Sequence, residues 1–236
     1  MATAIVVGAP TPFGREVCAE LSAQGVATIA VVHDDPATQA SWAARIQYNR
    51  VRVDVFPANI QAAASLIARM KPTHLILTTG CTLGRATVMR ALGVPASNYE
   101  EGNFKITDMY IDAIIKAQHH AHIAYLSAVG ASARSSDKAL TALAAAEQKL
   151  QFCTLPYTIL RAPPLMEYGN SGAMLPLKLW AHMRRGLYSG LGLVGMRAFA
   201  SARKPGDPRT VARALLDVAL GEGVTSGVLE PHQLGL

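Results

Sequence analysis

Short runs of β-branched and apolar residues alternate along most of the chain with longer stretches whose apolar residues recur at helical spacing. Ala4-Ile5-Val6-Val7 is the first run and ends at Gly8. From Arg15 to Ala23, Val17, Cys18 and Leu21 then fall on one side of a helix. Thr28 to Val32, Val51 to Val55, His74 to Thr78 and Ile123 to Leu126 are further runs, separated by helical patterns such as Ile60 to Met70 and Ile106 to Gln118. Alternation of this kind predicts an α/β fold in which a doubly wound parallel sheet carries helices on both faces.

A sixth strand, Tyr157 to Leu160, follows an Ala-rich stretch from Lys138 to Leu150 whose composition favours helix strongly. After it the alternation breaks down. Pro163, Pro164, Pro176 and the glycines between Gly169 and Gly206 predict irregular chain around one helix, Leu177 to Tyr188, before a last helix from Arg209 to Leu220. The expected organisation is one domain over residues 1–236, with a small variable C-terminal substrate or docking region at about 165–206. There are no internal repeats and no low-complexity tails.

Composition narrows the class. Half of the 236 residues are hydrophobic and 16% are charged, which excludes a disordered, solvating chain. No apolar run reaches the ~18–20 residues that span a bilayer, so no transmembrane segment is expected, and Ala4 to Val7 is too short for a secretory signal. Cys18, Cys81 and Cys153 stand far apart in no disulfide or zinc spacing, which points to a reducing compartment.

The net charge of +6 is local: from Tyr168 to Gly206 there is no Asp or Glu, while Lys178, Arg184, Arg185, Arg197, Arg203 and Lys204 lie there. Leu177, Leu179, Trp180, Met183 and Leu187 fall along one side of the expected helix, with Lys178, Arg184 and Arg185 at its margins. Leu177 to Arg185 therefore reads as a docking surface for an acidic-rimmed apolar groove or anionic lipid, or as a helix packed on its own sheet with a solvated basic side. Nothing in the chain specifies a nucleic acid.

The first β–α turn reads Gly8-Ala9-Pro10-Thr11-Pro12-Phe13-Gly14, where a dinucleotide fingerprint places Gly at the first, fourth and seventh positions. The first Gly permits the tight turn, the middle one lets backbone approach the pyrophosphate, and the last lets helix pack on strand. Thr11 holds the middle position, so phosphate approach is the function most altered. Asp54 and Val55 end the third strand, where adenine amino groups are met, and Thr79-Gly80 ends the fourth beside the same crevice. At the end of the second strand His33 would tolerate a 2′-phosphate and Asp34 would bind ribose hydroxyls, which leaves NAD and NADP both open. Asp34 and Asp35 serve equally well as caps of the turn at Pro36. The pattern is that of a Rossmann fold.

These residues resemble the atypical short-chain dehydrogenase/reductases related to the Tat-interacting protein, with its mitochondrial fungal relatives and the bacterial NmrA-like proteins. Gly8-Ala9-x-x-x-Phe13-Gly14-Arg15 is similar to that family's phosphate loop. Gly80-Cys81-Thr82-Leu83-Gly84-Arg85-Ala86 is similar to its G-T-T-R-G-x-A segment, and Leu126-Ser127-Ala128-Val129-Gly130-Ala131 to its L-S-S-x-G-A. Tyr157 to Arg161 resembles its sixth strand and Thr210 to Leu215 its C-terminal helix. The resemblance implies an NAD(P) cofactor, weakly held or absent, lined by Gly8, Thr11, Phe13, Gly14, His33, Asp34, Asp54, Val55, Thr79 and Gly80.

Active members of that family use a Tyr hydroxyl as acid or base, with a Lys four residues on that lowers its pKa. The seven tyrosines here are followed at the fourth place by Arg52, Asn103, Ile114, Val129, Arg161, Gly172 and Gly192, so Y-x-x-x-K does not occur. Aligning Glu147 with the Glu of the family's K-x-x-x-E puts Leu143 at the Lys and Ala139 at the Tyr. Ser127 remains of the family's Ser pair and reads as a hydrogen-bonded strand-end residue. No catalytic residue is assigned. His119, His120 and His122 share no metal-like spacing with a Cys or carboxylate and read as a polar helix C-terminus, so no metal ligand is assigned either. A nucleophile elbow and a P-loop are both missing.

The leading expectation is a non-catalytic NAD(P)-binding subunit that serves as an accessory component of a larger assembly, such as respiratory complex I, where folds of this kind play that part. The alternatives are an NAD(P)H-dependent oxidoreductase using Tyr110 or Tyr168 on an unknown carbonyl substrate, and an NAD(P)-sensing regulator. The basic, cysteine-poor composition and the mitochondrial relatives point to the mitochondrion, with the cytoplasm as the alternative. The first strand begins within a few residues of Met1 and leaves no visible presequence.

Overall fold

The structure, a computed structural model, describes residues 2–32, 51–55, 57, 59–79, 104–165, 206–221 and 226–236. Among these residues seven strands make one sheet: β1 (Thr3–Val7), β2 (Ala27–Val32), β3 (Val51–Val55), β4 (His74–Leu77), β5 (His122–Ala128), β6 (Tyr157–Ala162) and β7 (Gly227–Leu229). Their order is β3-β2-β1-β4-β5-β6-β7, and every pairing is parallel. The order reverses between β1 and β4, which in open α/β sheets opens a crevice at the carboxyl ends of the strands.

Parallel strands are buried on both faces, and these alternate between two apolar cores. Val7, Val31, Leu77, Tyr125 and Ile159 face α2 (Ile60–Met70), α3 (Ile106–Lys116) and α4 (Lys138–Phe152). Val6, Ala30, Ile76, Leu126 and Leu160 face α1 (Pro12–Ala23) and α5 (Pro208–Ala219). Side-chain caps fix where helices begin: Asn59, Asp137 and Asp207 accept from the N–H groups of Ala62, Ala139 and Thr210. Ion pairs tie neighbouring helices together. Arg213 of α5 donates to Glu20 of α1 at 3.2 Å, and Lys149 of α4 reaches Asp108 and Asp112 of α3, each at 2.7 Å.

The expected strands and helices recur with shifted ends. The first helix begins at Pro12 rather than Arg15, because Thr11 caps it and proline suits the first helical position. β5 and β6 run on to Ala128 and Ala162. The seventh strand was not expected: Gly227-Val228-Leu229 is too short to show a period, and it exists because Gly227 and Val228 pair with Thr158 and Ile159. His122 is no part of a helix end. It opens β5, with its Nε2 at 2.8 Å from Thr158 Oγ1. The expected Leu177 to Tyr188 helix and the basic segment around it lie outside the described residues.

Candidate nucleotide site

The turn from Gly8 to Gly14 joins β1 to α1 at the carboxyl edge of the sheet. Gly8 has a φ of +88°, and a Cβ there would stand 2.7 Å from the Thr78 carbonyl carbon, so both backbone conformation and the neighbouring strand demand glycine. At Gly14 a Cβ would lie 2.2 Å from the Gly8 carbonyl oxygen, because the first turn of α1 presses directly on the end of β1. Both fingerprint glycines are therefore required by the protein's own packing.

Thr11, at the middle position, has φ −69° and ψ 154°, extended backbone open to any residue. A side chain here leaves the backbone ordinary, and the hydroxyl is what matters. Its Oγ1 donates to the Gly8 carbonyl at 2.8 Å and accepts from the Gly14 N–H at 2.9 Å. Thr11 N–H also goes to Gly8 O, at 3.0 Å. Pro10 and Pro12 have no N–H to offer. The exposed Arg15 guanidinium turns back to the Pro10 carbonyl at 3.2 Å. Ala9 and Phe13 are buried in the α1–α5 core and floor the turn.

The other expected site residues sit along the same edge. Asp54 and Val55 end β3, and the Asp54 carboxylate accepts from Val55 N–H at 2.8 Å and from Arg69 at 3.0 Å. Thr78 is anchored by its hydroxyl to the Val7 carbonyl, and Thr79 Oγ1 lies 3.3 Å from Thr107 Oγ1. The structure thus brings Gly8, Thr11, Gly14, Val55 and Thr79 to the ends of β1, β3 and β4. His33, Asp34 and Gly80 lie outside the described residues.

On the next strands lies a second polar cluster, joined to the helix that carries Ala139 and Leu143. Ser127 of β5 donates to Glu147 Oε1, and Arg161 of β6 binds the same carboxylate twice, Nε to Oε1 at 3.0 Å and Nη2 to Oε2 at 2.6 Å. Arg161 Nη1 extends to Glu230 Oε1 at 3.0 Å, just past β7. Donating hydrogen bonds to Glu147 is the chief cause that holds the Arg161 pKa above its usual value. The Glu147–Arg161 pairing was missed in the sequence; its signal is one carboxylate on the otherwise apolar face formed by Ala139, Leu143, Ala146 and Leu150.

Ala139 and Leu143 are both buried on that face of α4. Tyr110, considered above as an alternative acid, is fully buried, and burial, then the Asp54 charge, raises its pKa far above neutral. Tyr168 lies outside the described residues. Among the described residues no helix is long and apolar enough to cross a membrane.

Solved structures with this topology are numerous. An oxidoreductase of the short-chain dehydrogenase/reductase family from Burkholderia thailandensis superposes with a TM-score of 0.65 at 15% identity, covering 98% of this chain and 91% of its own. This chain and that structure share a Rossmann-type α/β fold. ChuY, described as an anaerobillin reductase from Escherichia coli O157:H7, matches with a TM-score of 0.63 at 15% identity over 97% of this chain and 96% of its own. WbmH of Bordetella bronchiseptica, solved in complex with NAD+, matches at 0.63 and 11% identity over 98% and 75%. No protein-family model and no curated protein matches the sequence. In the turn, the first and last glycines of the dinucleotide fingerprint are in place, and its middle position carries Thr11, whose hydroxyl caps α1.

Proposed function

We propose that the chain is a non-catalytic Rossmann-fold subunit that binds NAD(P) weakly and acts as an accessory component of a larger assembly. One observation carries the non-catalytic part: the helix face that would bear the acid–base pair presents Ala139 and Leu143, both buried, beside a Ser127 hydroxyl already donated to Glu147. None of these groups is free to move a proton to or from a substrate oxygen. The fold supports the nucleotide part, since related structures of this shape include one holding NAD+. Residues Gly8, Gly14, Asp54, Val55 and Thr79 would line the nucleotide, together with His33, Asp34 and Gly80.

The assembly is proposed on composition and fold analogy, with a mitochondrial complex of the respiratory complex I type as its form. The unbalanced basic segment from Lys178 to Lys204 is its proposed contact with an acidic partner or anionic lipid. Native gel filtration of the endogenous protein tests this. Elution within a much larger particle is expected, and elution alone at 25.0 kDa contradicts it.

A second reading, a carbonyl reductase with an acid supplied from elsewhere, is favoured by the likeness to ChuY over nearly the whole of both chains. It requires steady-state turnover of NADH or NADPH.

A further inference from the structure

We infer that Thr11 is a built-in stopper: its hydroxyl occupies the Gly14 N–H at the α1 N-terminus, where this fold takes phosphate, so that a phosphate arriving there competes with the protein's own cap. The inference deepens the nucleotide reading above and rests on it.

Helix N-termini attract phosphate because their first N–H groups have no partner within the helix and point outward. Here those groups are withdrawn, save the Phe13 N–H. Pro10 and Pro12 carry no N–H, Thr11 N–H turns back to Gly8 O, and Gly14 N–H is held by Thr11 Oγ1 at 2.9 Å. The hydroxyl cannot simply turn away, because its own proton is directed at Gly8 O at 2.8 Å, which aims its lone pair at Gly14. Gly8 and Gly14 keep the turn in its ordinary shape for reasons of packing alone. The turn thus keeps the form of a phosphate loop while the position that would face the ligand serves the apo protein.

A cap and a phosphate compete for one N–H, so removing the hydroxyl moves two quantities in opposite directions. Thr11→Ala lowers the melting temperature by about 2–4 °C, as loss of an N-cap does in a chain of this size. It also tightens NADH and NADPH by roughly tenfold, one charge-assisted hydrogen bond to the freed amide. Thr11→Gly behaves as Thr11→Ala does, because φ −69° gives glycine no advantage. Thr11→Ser keeps the cap and changes neither quantity.

The experiment is calorimetry with NADH and NADPH on the four proteins, together with the amide NMR shift of Gly14 on addition of NADPH or inorganic pyrophosphate. A Gly14 amide that moves in Thr11→Ala and Thr11→Gly but stays in the native protein and Thr11→Ser is the expected result. If pyrophosphate moves it in the variants while neither dinucleotide binds, the stopper stands and the NAD(P) reading falls. If Gly14 responds equally in native protein and Thr11→Ala, or in neither, the stopper is overturned; tight dinucleotide binding in the native protein would then leave the NAD(P) reading intact.

Discussion

Arg161 grips Glu147 with two parallel hydrogen bonds, at 3.0 and 2.6 Å, linking β6 to α4 where the side chain of Glu147 is only 4% exposed. A carboxylate buried to that degree is tolerable because both oxygens are satisfied, by Arg161 and by the Ser127 hydroxyl. Removing the cation leaves the charge stranded. Arg161→Met is expected to cost about 3 kcal/mol, whereas Glu230→Gln, which loses only a partly solvated arm of the network, costs under about 1 kcal/mol. Urea unfolding at neutral pH measures both, and equal losses would show that burial of Glu147 does not set the scale.

The two fingerprint glycines give a prediction that needs no ligand. Gly8→Ala and Gly14→Ala drive a methyl group into backbone, at 2.7 Å from Thr78 and 2.2 Å from Gly8 respectively, and should each cost about 3 kcal/mol or more. Gly235→Ala also sits at positive φ, +70°, but meets nothing within 4 Å, so it costs about 1 kcal/mol of backbone strain. A ranking in which Gly235→Ala is the worst of the three would mean that the turn is not packed as described.

Acid should destabilise the protein in two overlapping steps. Burial, then the nearby His74, lowers the His122 pKa to about 4, so between about pH 6.5 and pH 4 the unfolded chain takes up a proton there that the folded one refuses. Stability is full above the unfolded value and declines as pH falls through that window. Glu20, whose pKa is lowered chiefly by its hydrogen bond to Arg213, adds a second loss as pH falls from the ordinary carboxylate range through its folded value. His122→Gln should therefore lose fewer degrees of melting temperature than the native protein between pH 7.5 and pH 5. Identical losses in the two proteins would remove His122 from the account.

Much of the sheet could be read in the chain because parallel strands buried on both faces appear as unbroken apolar runs, as Ala4 to Val7 and Thr28 to Val32 do. β7 escaped because three residues carry no period; its pairing with β6 makes it a strand. Gly8 and Gly14 were legible as turn glycines, and Thr11 as the departure between them. The cause of its effect was not legible. A Thr in a fingerprint suggests a stiffened backbone, but the backbone is ordinary and a hydroxyl closing two hydrogen bonds does the work, which only the fold of the turn reveals. The Glu147–Arg161 pair was hidden for a related reason: the residues lie on different elements, joined through the register of Ser127 with Arg161.

The basic segment yields a prediction from charge alone. Arg184→Glu with Arg185→Glu should weaken association with the endogenous assembly, or with anionic vesicles, while the melting temperature barely moves, because isolated surface charges contribute little to folding. Undiminished association after the double reversal would take this segment out of consideration as the docking surface.

In the proposed role this Rossmann-type fold holds a nucleotide without using it. Its most direct test follows NADPH and NADH absorbance during incubation of the native protein with a broad panel of aldehydes, ketones and quinones, alongside calorimetric binding of the same cofactors. The account predicts weak, saturable binding and no oxidation above the protein-free rate for any compound. Sustained turnover of either cofactor with a carbonyl substrate would contradict it.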